Sequence, residues 1–159
     1  MEERLILRLE LEALYADYVA CLDDGDYDAW PEFFTDTCLY KIVPRENYEQ
    51  NLPLATMRCE SKGMLQDRVY AVKETSMFGP RALRHLVSAI RITDSDGNGG
   101  FAAQANYAVL QTLNDEETKV FQSGRYLDRL VREDGKLKFA EKLCVFDSNL
   151  VSNSLIVPI

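Results

Sequence analysis

The hydrophobic period changes within Tyr27 to Ile42, YDAWPEFFTDTCLYKI, and the other elements are arranged about that change. Trp30, Phe33 and Phe34 recur at helical spacing, whereas Cys38, Tyr40 and Ile42 alternate as one buried face of a strand does. Pro31 has no N–H to donate, so either Asp28 caps a helix with Pro31 in its first turn or two short turns meet there. Both arrangements turn the aromatic cluster inward. A short aromatic helix tipped directly into a strand plugs the open end of a curved sheet.

Upstream, Leu7, Leu11, Leu14, Tyr15, Tyr18 and Leu22 predict an amphipathic helix from about Leu5 to Leu22, ended by Asp23-Asp24-Gly25-Asp26. Downstream, Pro44 to Pro53 is polar and bounded by prolines, which predicts a loop. Leu54 to Cys59 then returns as a short strand, and Ser61 caps a helix to about Lys73. Arg84 to Thr93 alternates with Leu86, Ser88, Ile90 and Ile92 on one face and His85, Val87, Ala89 and Arg91 on the other. The Asp96–Gly100 turn opens a meander of three longer strands, Phe101 to Leu113, Lys119 to Arg132 and Lys136 to Asp147. Gly124 within the second of these predicts a bulge or bend that curls the sheet. Helices first and long antiparallel strands afterwards give an α+β fold: a cone-shaped half-barrel, its N-terminal helices packed on a strongly bent, mainly antiparallel sheet, as one domain over residues 1–159.

A chain of 159 residues buries enough surface to need no staples, and the scattered Cys21, Cys38, Cys59 and Cys144 fit reduced thiols of a cytoplasmic protein without disulfides. A net charge of −8, with basic residues dispersed among acidic ones, argues against a nucleic-acid surface. No apolar run approaches the ~20 residues of a membrane span, and Glu2, Glu3 and Arg4 do not resemble the start of a signal peptide.

Counting limits the chemistry further. The only histidine is His85, whereas a mononuclear iron facial triad and a Rieske cluster each need two, so this chain alone builds neither. His85 suits a general base, with Tyr15, Tyr18 or a carboxylate to orient it, but a hydrogen-bonded histidine at a strand end or a subunit contact is the plainer expectation. Asp23, Asp24, Asp26 and Asp28 lack the EF-hand spacing and are better explained as capped turns. Gln104 and Asn106 share a strand face, and Arg125, Glu141 and Asp147 interrupt apolar alternations; such groups either line a pocket or form an internal network. No GxGxxG, GxxxxGK[ST] or GxSxG is present.

WPEFFTDTCLYKIVPREN (Trp30 to Asn47), KGMLQDR (Lys62 to Arg68), RHLVSAIRI (Arg84 to Ile92), SGRYLDRLV (Ser123 to Val131) and FAEKLCVFDSN (Phe139 to Asn149) resemble, in that order, the small (beta) subunit of aromatic-ring-hydroxylating dioxygenases. The resemblance spans essentially the whole chain and implies a nuclear-transport-factor-like cone. It further implies that the partner large (alpha) subunit carries the Rieske [2Fe–2S] cluster and the mononuclear iron, with ferredoxin and reductase acting through that subunit. PRENYEQNLP (Pro44 to Pro53) is most similar to the salicylate 5-hydroxylase type. No catalytic, cofactor-binding or metal residue is carried over. Trp30 and Phe34 are expected in the core, and Arg84, His85 and Asp128 as buried or interfacial polar groups.

Three functions follow as expectations. The first is an assembly subunit, three copies with three large chains, motivated by an exposed apolar tail (Leu150 to Ile159) and by Tyr40, Tyr48, Tyr70 and Tyr107 as interface residues, with Pro44 to Pro53 and the tail meeting the large chain. The second is a stand-alone isomerase, dehydratase or cyclase using His85 with Tyr15 or Tyr18. The third is a binding module whose cone holds an aromatic acid through Gln104, Asn106 and Arg125.

Overall fold

The computed structural model describes residues 2–75, 79–150 and 155–159. Helix α1 (Glu2–Asp23) buries Leu11, Tyr15, Tyr18 and Leu22, the stripe its three- and four-residue spacing predicts. Gly25, at φ +71°, turns the chain out of it. Trp30–Phe33 forms a 3-10 turn with Pro31 in its first positions, and no side chain caps it. Asp28 therefore caps no helix; it pairs with Lys73 at 2.6 Å, and the two-short-turns arrangement is the one adopted.

Strand β1 (Phe34–Pro44) follows at once, with Phe34, Cys38, Tyr40 and Ile42 buried. The segment between prolines is not all loop: Pro44, extended at φ −60° and ψ 145°, leads into a short helix α2 (Arg45–Glu49). The returning strand is only β2 (Met57–Cys59), paired Tyr40 to Cys59. Ser61 accepts from the Met64 N–H and caps α3 (Lys62–Tyr70), which continues as a π-helical turn over Ala71–Thr75.

Strands β3 (Arg81–Ser95), β4 (Phe101–Leu113), β5 (Lys119–Glu133) and β6 (Lys136–Phe146) form the meander. Sheet order is β2-β1-β6-β5-β4-β3, six strands in all, and every pair is antiparallel except β1 with β6. That parallel pair was not among the expected ones. It is possible because α2, β2, α3 and the meander together make a connection long enough to bring β6 back beside β1 in the same direction. The helices pack inside the bent sheet, α1 chiefly against β3 and α3 against β1.

Two irregularities depart from simple alternation. Ala89, at φ +52°, makes a bulge in β3 opposite β4, so His85 and Val87 face inward before it while Ile90 and Ile92 pack on the core after it. Leu86 is consequently 52% exposed and shares no face with Ile90 and Ile92. Gly124 marks no bulge: it stays in register between Tyr107 and Phe146, and a Cβ there would collide with the main-chain O of Val145. Glycine is needed for close approach of β6 to β5, not for a break in pairing.

Candidate functional site

The inner faces of β4, β5 and β6 meet α1 in a sealed polar and aromatic centre. Lys142 is wholly buried, its Nζ 3.5 Å from the ring centroid of Tyr126, 4.4 Å from Phe139, 4.6 Å from Tyr18 and 5.0 Å from Tyr15. Tyr126 stacks between Tyr107 (4.4 Å) and Tyr15 (6.0 Å). Four ring faces about one ammonium replace part of its lost hydration through their quadrupoles. Its counter-ion is Asp128, opposite it in register, with Oδ2 3.0 Å from Nζ and accepting the Tyr15 hydroxyl at 2.5 Å. Burial pushes the Asp128 carboxyl above its usual range, and Lys142 and Tyr15 pull it back. Asp128 Oδ1 and the Tyr126 hydroxyl have no hydrogen-bond partner among the described residues.

Next to this centre the chain's own tail enters the cone. Val157, Pro158 and Ile159 are buried. The main-chain O of Ile159 accepts from Tyr18 (2.8 Å), Tyr40 (3.1 Å) and Cys144 Sγ (3.5 Å), and its N–H donates to Tyr40 (2.8 Å). Trp30 Nε1 donates to the Tyr18 hydroxyl at 3.3 Å. Burial holds the phenols of Tyr15, Tyr18, Tyr40 and Tyr126 well above their usual range and pushes the Cys144 thiol up to about 12, so all of them are neutral donors near pH 7. The tail was expected to be exposed. Its end is instead core, because its apolar side chains find a cavity lined by rings and its polar main chain finds phenols. Val151 to Ser154 of that tail lie outside the described residues.

The pairing of His85 with Tyr15 or Tyr18 does not occur. His85 lies on β3 with Nδ1 2.6 Å from Asp23 Oδ1, and its N–H donates to both Asp23 oxygens at 3.1 Å. Asp23 thus ties the end of α1 to β3, a role a turn reading of the aspartates does not contain. The His85 side chain is wholly buried and Nε2 has no partner among the described residues, while Tyr15 and Tyr18 are committed to Asp128 and Ile159. Gln104, Asn106 and Arg125 do not reach the cone either, since their register partners and neighbours place them on the outer face, opposite inward Ala103, Ala105, Tyr107 and Tyr126. Of the expected interface tyrosines, Tyr48 and Tyr70 are exposed, whereas Tyr40 and Tyr107 are core. Trp30 and Phe34 are core as expected, and Asp128 is buried.

Lys142 was missed for a definable reason. Leu137 and Phe139 face inward at odd positions, and the register shift opposite Arg129 and Leu130 moves the inward face to Lys142, Cys144 and Phe146. Strict alternation from Leu137 sends Lys142 to solvent. A groove of about 530 Å³ runs between α1, the 3-10 turn and the β5–β6 hairpin, over Leu14, Phe33 and Leu137, with Arg132 bidentate to Glu10 across it. It includes none of the residues of the sealed centre. Among the described residues no group of three or more His, Cys, Asp or Glu side chains is placed to hold a metal ion, and no helix is long and apolar enough to cross a membrane.

Residues 18–153 match the family of ring hydroxylating beta subunits. The chain belongs to that family. It is 33% identical over 150 residues to the anthranilate 1,2-dioxygenase small subunit of Burkholderia cepacia, covering 94% of this chain and 92% of that one. To the beta 1 subunit of the terminal oxygenase component of terephthalate 1,2-dioxygenase from Comamonas it is 30% identical over 155 residues, 98% of this chain and all of the relative. A crystal structure from Novosphingobium aromaticivorans, described as the beta subunit of an aromatic-ring-hydroxylating dioxygenase, superposes with a TM-score of 0.89 at 35% identity over 98% of this chain and 99% of that one. The benzoate 1,2-dioxygenase beta subunit of Burkholderia mallei shares the fold at a TM-score of 0.76 and 13% identity, over 92% and 95% of the two chains. The beta subunit described here is therefore a component of a ring-hydroxylating oxygenase, built on the cone fold.

Proposed function

We propose that this chain is the non-catalytic small subunit of a Rieske non-haem iron oxygenase that hydroxylates an aromatic acid, and that its work is to assemble and stabilise the hetero-oligomer. The large subunit would carry the Rieske cluster and the mononuclear iron and receive electrons from ferredoxin and reductase, three large chains standing with three copies of this one. The observation that carries the reading is the outer face of the sheet. Arg84, Leu86 and Ser88 of β3, Asn106 of β4, Arg129 of β5 and Glu141 of β6 stand exposed on it, with Gln104, Arg125, Leu127 and Leu143 half-buried between them. Arg84, Arg125 and Arg129 give this face the residue type enriched at protein interfaces, and Leu86 stands 52% exposed beside them. The interior, by contrast, is filled, and its one buried ammonium, Lys142, is held by Asp128. With one histidine, the chain cannot supply both metal centres by itself.

The relatives named for anthranilate and terephthalate support an aromatic carboxylate as the substrate class, and salicylate is the member of that class favoured by Pro44 to Pro53. Reversing charge on the outer face tests the assembly role. Arg125→Glu with Leu127→Asp is expected to keep the circular dichroism spectrum and melting transition of the parent while light scattering shows loss of the hetero-oligomer. A parent chain that stays monomeric, alone and beside its large subunit, contradicts the proposal.

A further inference from the structure

Ile159 is held as a bound molecule is held. Donors from three elements, Tyr18 of α1, Tyr40 of β1 and Cys144 of β6, converge on its single main-chain O at 2.8, 3.1 and 3.5 Å. Trp30 Nε1 occupies an acceptor position of the Tyr18 oxygen, which leaves the Tyr18 proton to point at Ile159. A buried main-chain oxygen is satisfied by one or two donors, whereas three converge on this one: the β1–β6 pairing sets Tyr40 and Cys144 as neighbours on the inward face, and α1 adds Tyr18. Preorganised donors aimed at one oxygen among buried aromatic rings are the construction by which proteins recognise a carbonyl or an oxyanion. Farther out along the segment lying in this seat, Arg68 Nη2 donates to the Ile156 main-chain O at 3.3 Å, and Leu155 and Ile156 pack half-buried against the core.

We infer that the Tyr18–Tyr40–Cys144 cluster is a binding site for the carbonyl oxygen of a small apolar molecule, and that residues 155–159 are its tethered, self-blocking occupant. Ile159 defines the ligand chemistry: a compact hydrocarbon body, an oxygen that accepts from two phenols, and an adjacent polar atom for Tyr40. A carboxamide or carboxylic acid with one benzene ring supplies all three. This site is distinct in place and role from the outer sheet face, and the assembly role stands or falls without it.

Trp30, the only tryptophan of the chain, touches the seat and reports on it by its emission. The experiment compares the full chain with a variant lacking residues 155–159, titrating each with benzamide and with benzoate and following Trp30 emission and the melting transition. The truncated chain is expected to give a saturable change with one or both probes, at least about tenfold weaker in the full chain, where the tether competes, and about tenfold weaker after Tyr18→Phe and Tyr40→Phe together. If the truncated chain does not fold alone, an acetylated peptide of residues 155–159 added in trans is expected to restore its circular dichroism spectrum and melting transition. A folded truncated chain that responds to neither probe, or a response that survives the double phenylalanine variant, overturns the inference. So does a truncated chain that no peptide rescues, since the segment is then an indivisible part of the core.

Discussion

Removing one member of the Lys142–Asp128 pair leaves a bare charge among aromatic rings, whereas removing both leaves only a change of shape. Lys142→Met or Asp128→Leu alone is expected to cost about 3–5 kcal/mol, and the two together far less than the sum, as urea denaturation of the single and double variants will show. Equal and additive losses would mean that the two groups do not compensate each other. Buried acids also set a pH window. Burial pushes the thiols of Cys38 and Cys144 up to about 11 and about 12, and the buried phenols well above their usual range. An unfolded chain releases the thiol protons near ~8.5 and the phenol protons near ~10. The folded chain keeps them, so the unfolded state gains free energy from ionisation first. Stability is whole below the unfolded values and falls as pH rises from about 8.5 towards the folded ones. Melting temperatures measured from pH 7 to 11 should decline over that range, and a level profile would speak against sealed thiols and phenols.

Elements are where alternation works and where it breaks. The stripe of α1, the Ser61 cap, the Asp96–Gly100 turn and the β1–β2 hairpin follow from spacing and turn chemistry, because each is decided within a few residues. Gly124 and Ala89 show the limit. A glycine inside a strand signals either a bulge or a close approach, and only the position of β6 distinguishes them. Gly124→Ala is expected to lose about 1–3 kcal/mol or more in denaturant, since the Val145 carbonyl is main chain and cannot swing aside. An alanine at that position that left the midpoint unchanged would place β6 farther away. The Ala89 bulge carries no warning residue, as alanine is an ordinary strand occupant and φ +52° is an uncommon conformation for it. The faces of β3 were accordingly misassigned beyond it.

At the scale of the molecule, the cone separates a filled interior from an open outer sheet face, and the beta subunit offers its chemistry differently on each. His85 and Asp23 fasten α1 to β3, so His85→Ala should lower the melting temperature of the subunit while leaving turnover per assembled oxygenase unchanged. A fall in turnover with assembly and stability intact would restore a catalytic role to it. By itself the sequence determined the α+β class, the order of the long elements, the bounds of α1 and of β4 to β6 to within a few residues, and the small-subunit resemblance, since these depend on local periodicity and turn residues. Tertiary structure decided the parallel β1–β6 pair, the inward turn of Lys142, the tie of His85 to Asp23 rather than to a tyrosine, and the burial of Ile159 among phenols. Those partners lie up to 141 residues apart along the chain, and which face each presents is set by bulges and by the strand beside it, which no local pattern encodes.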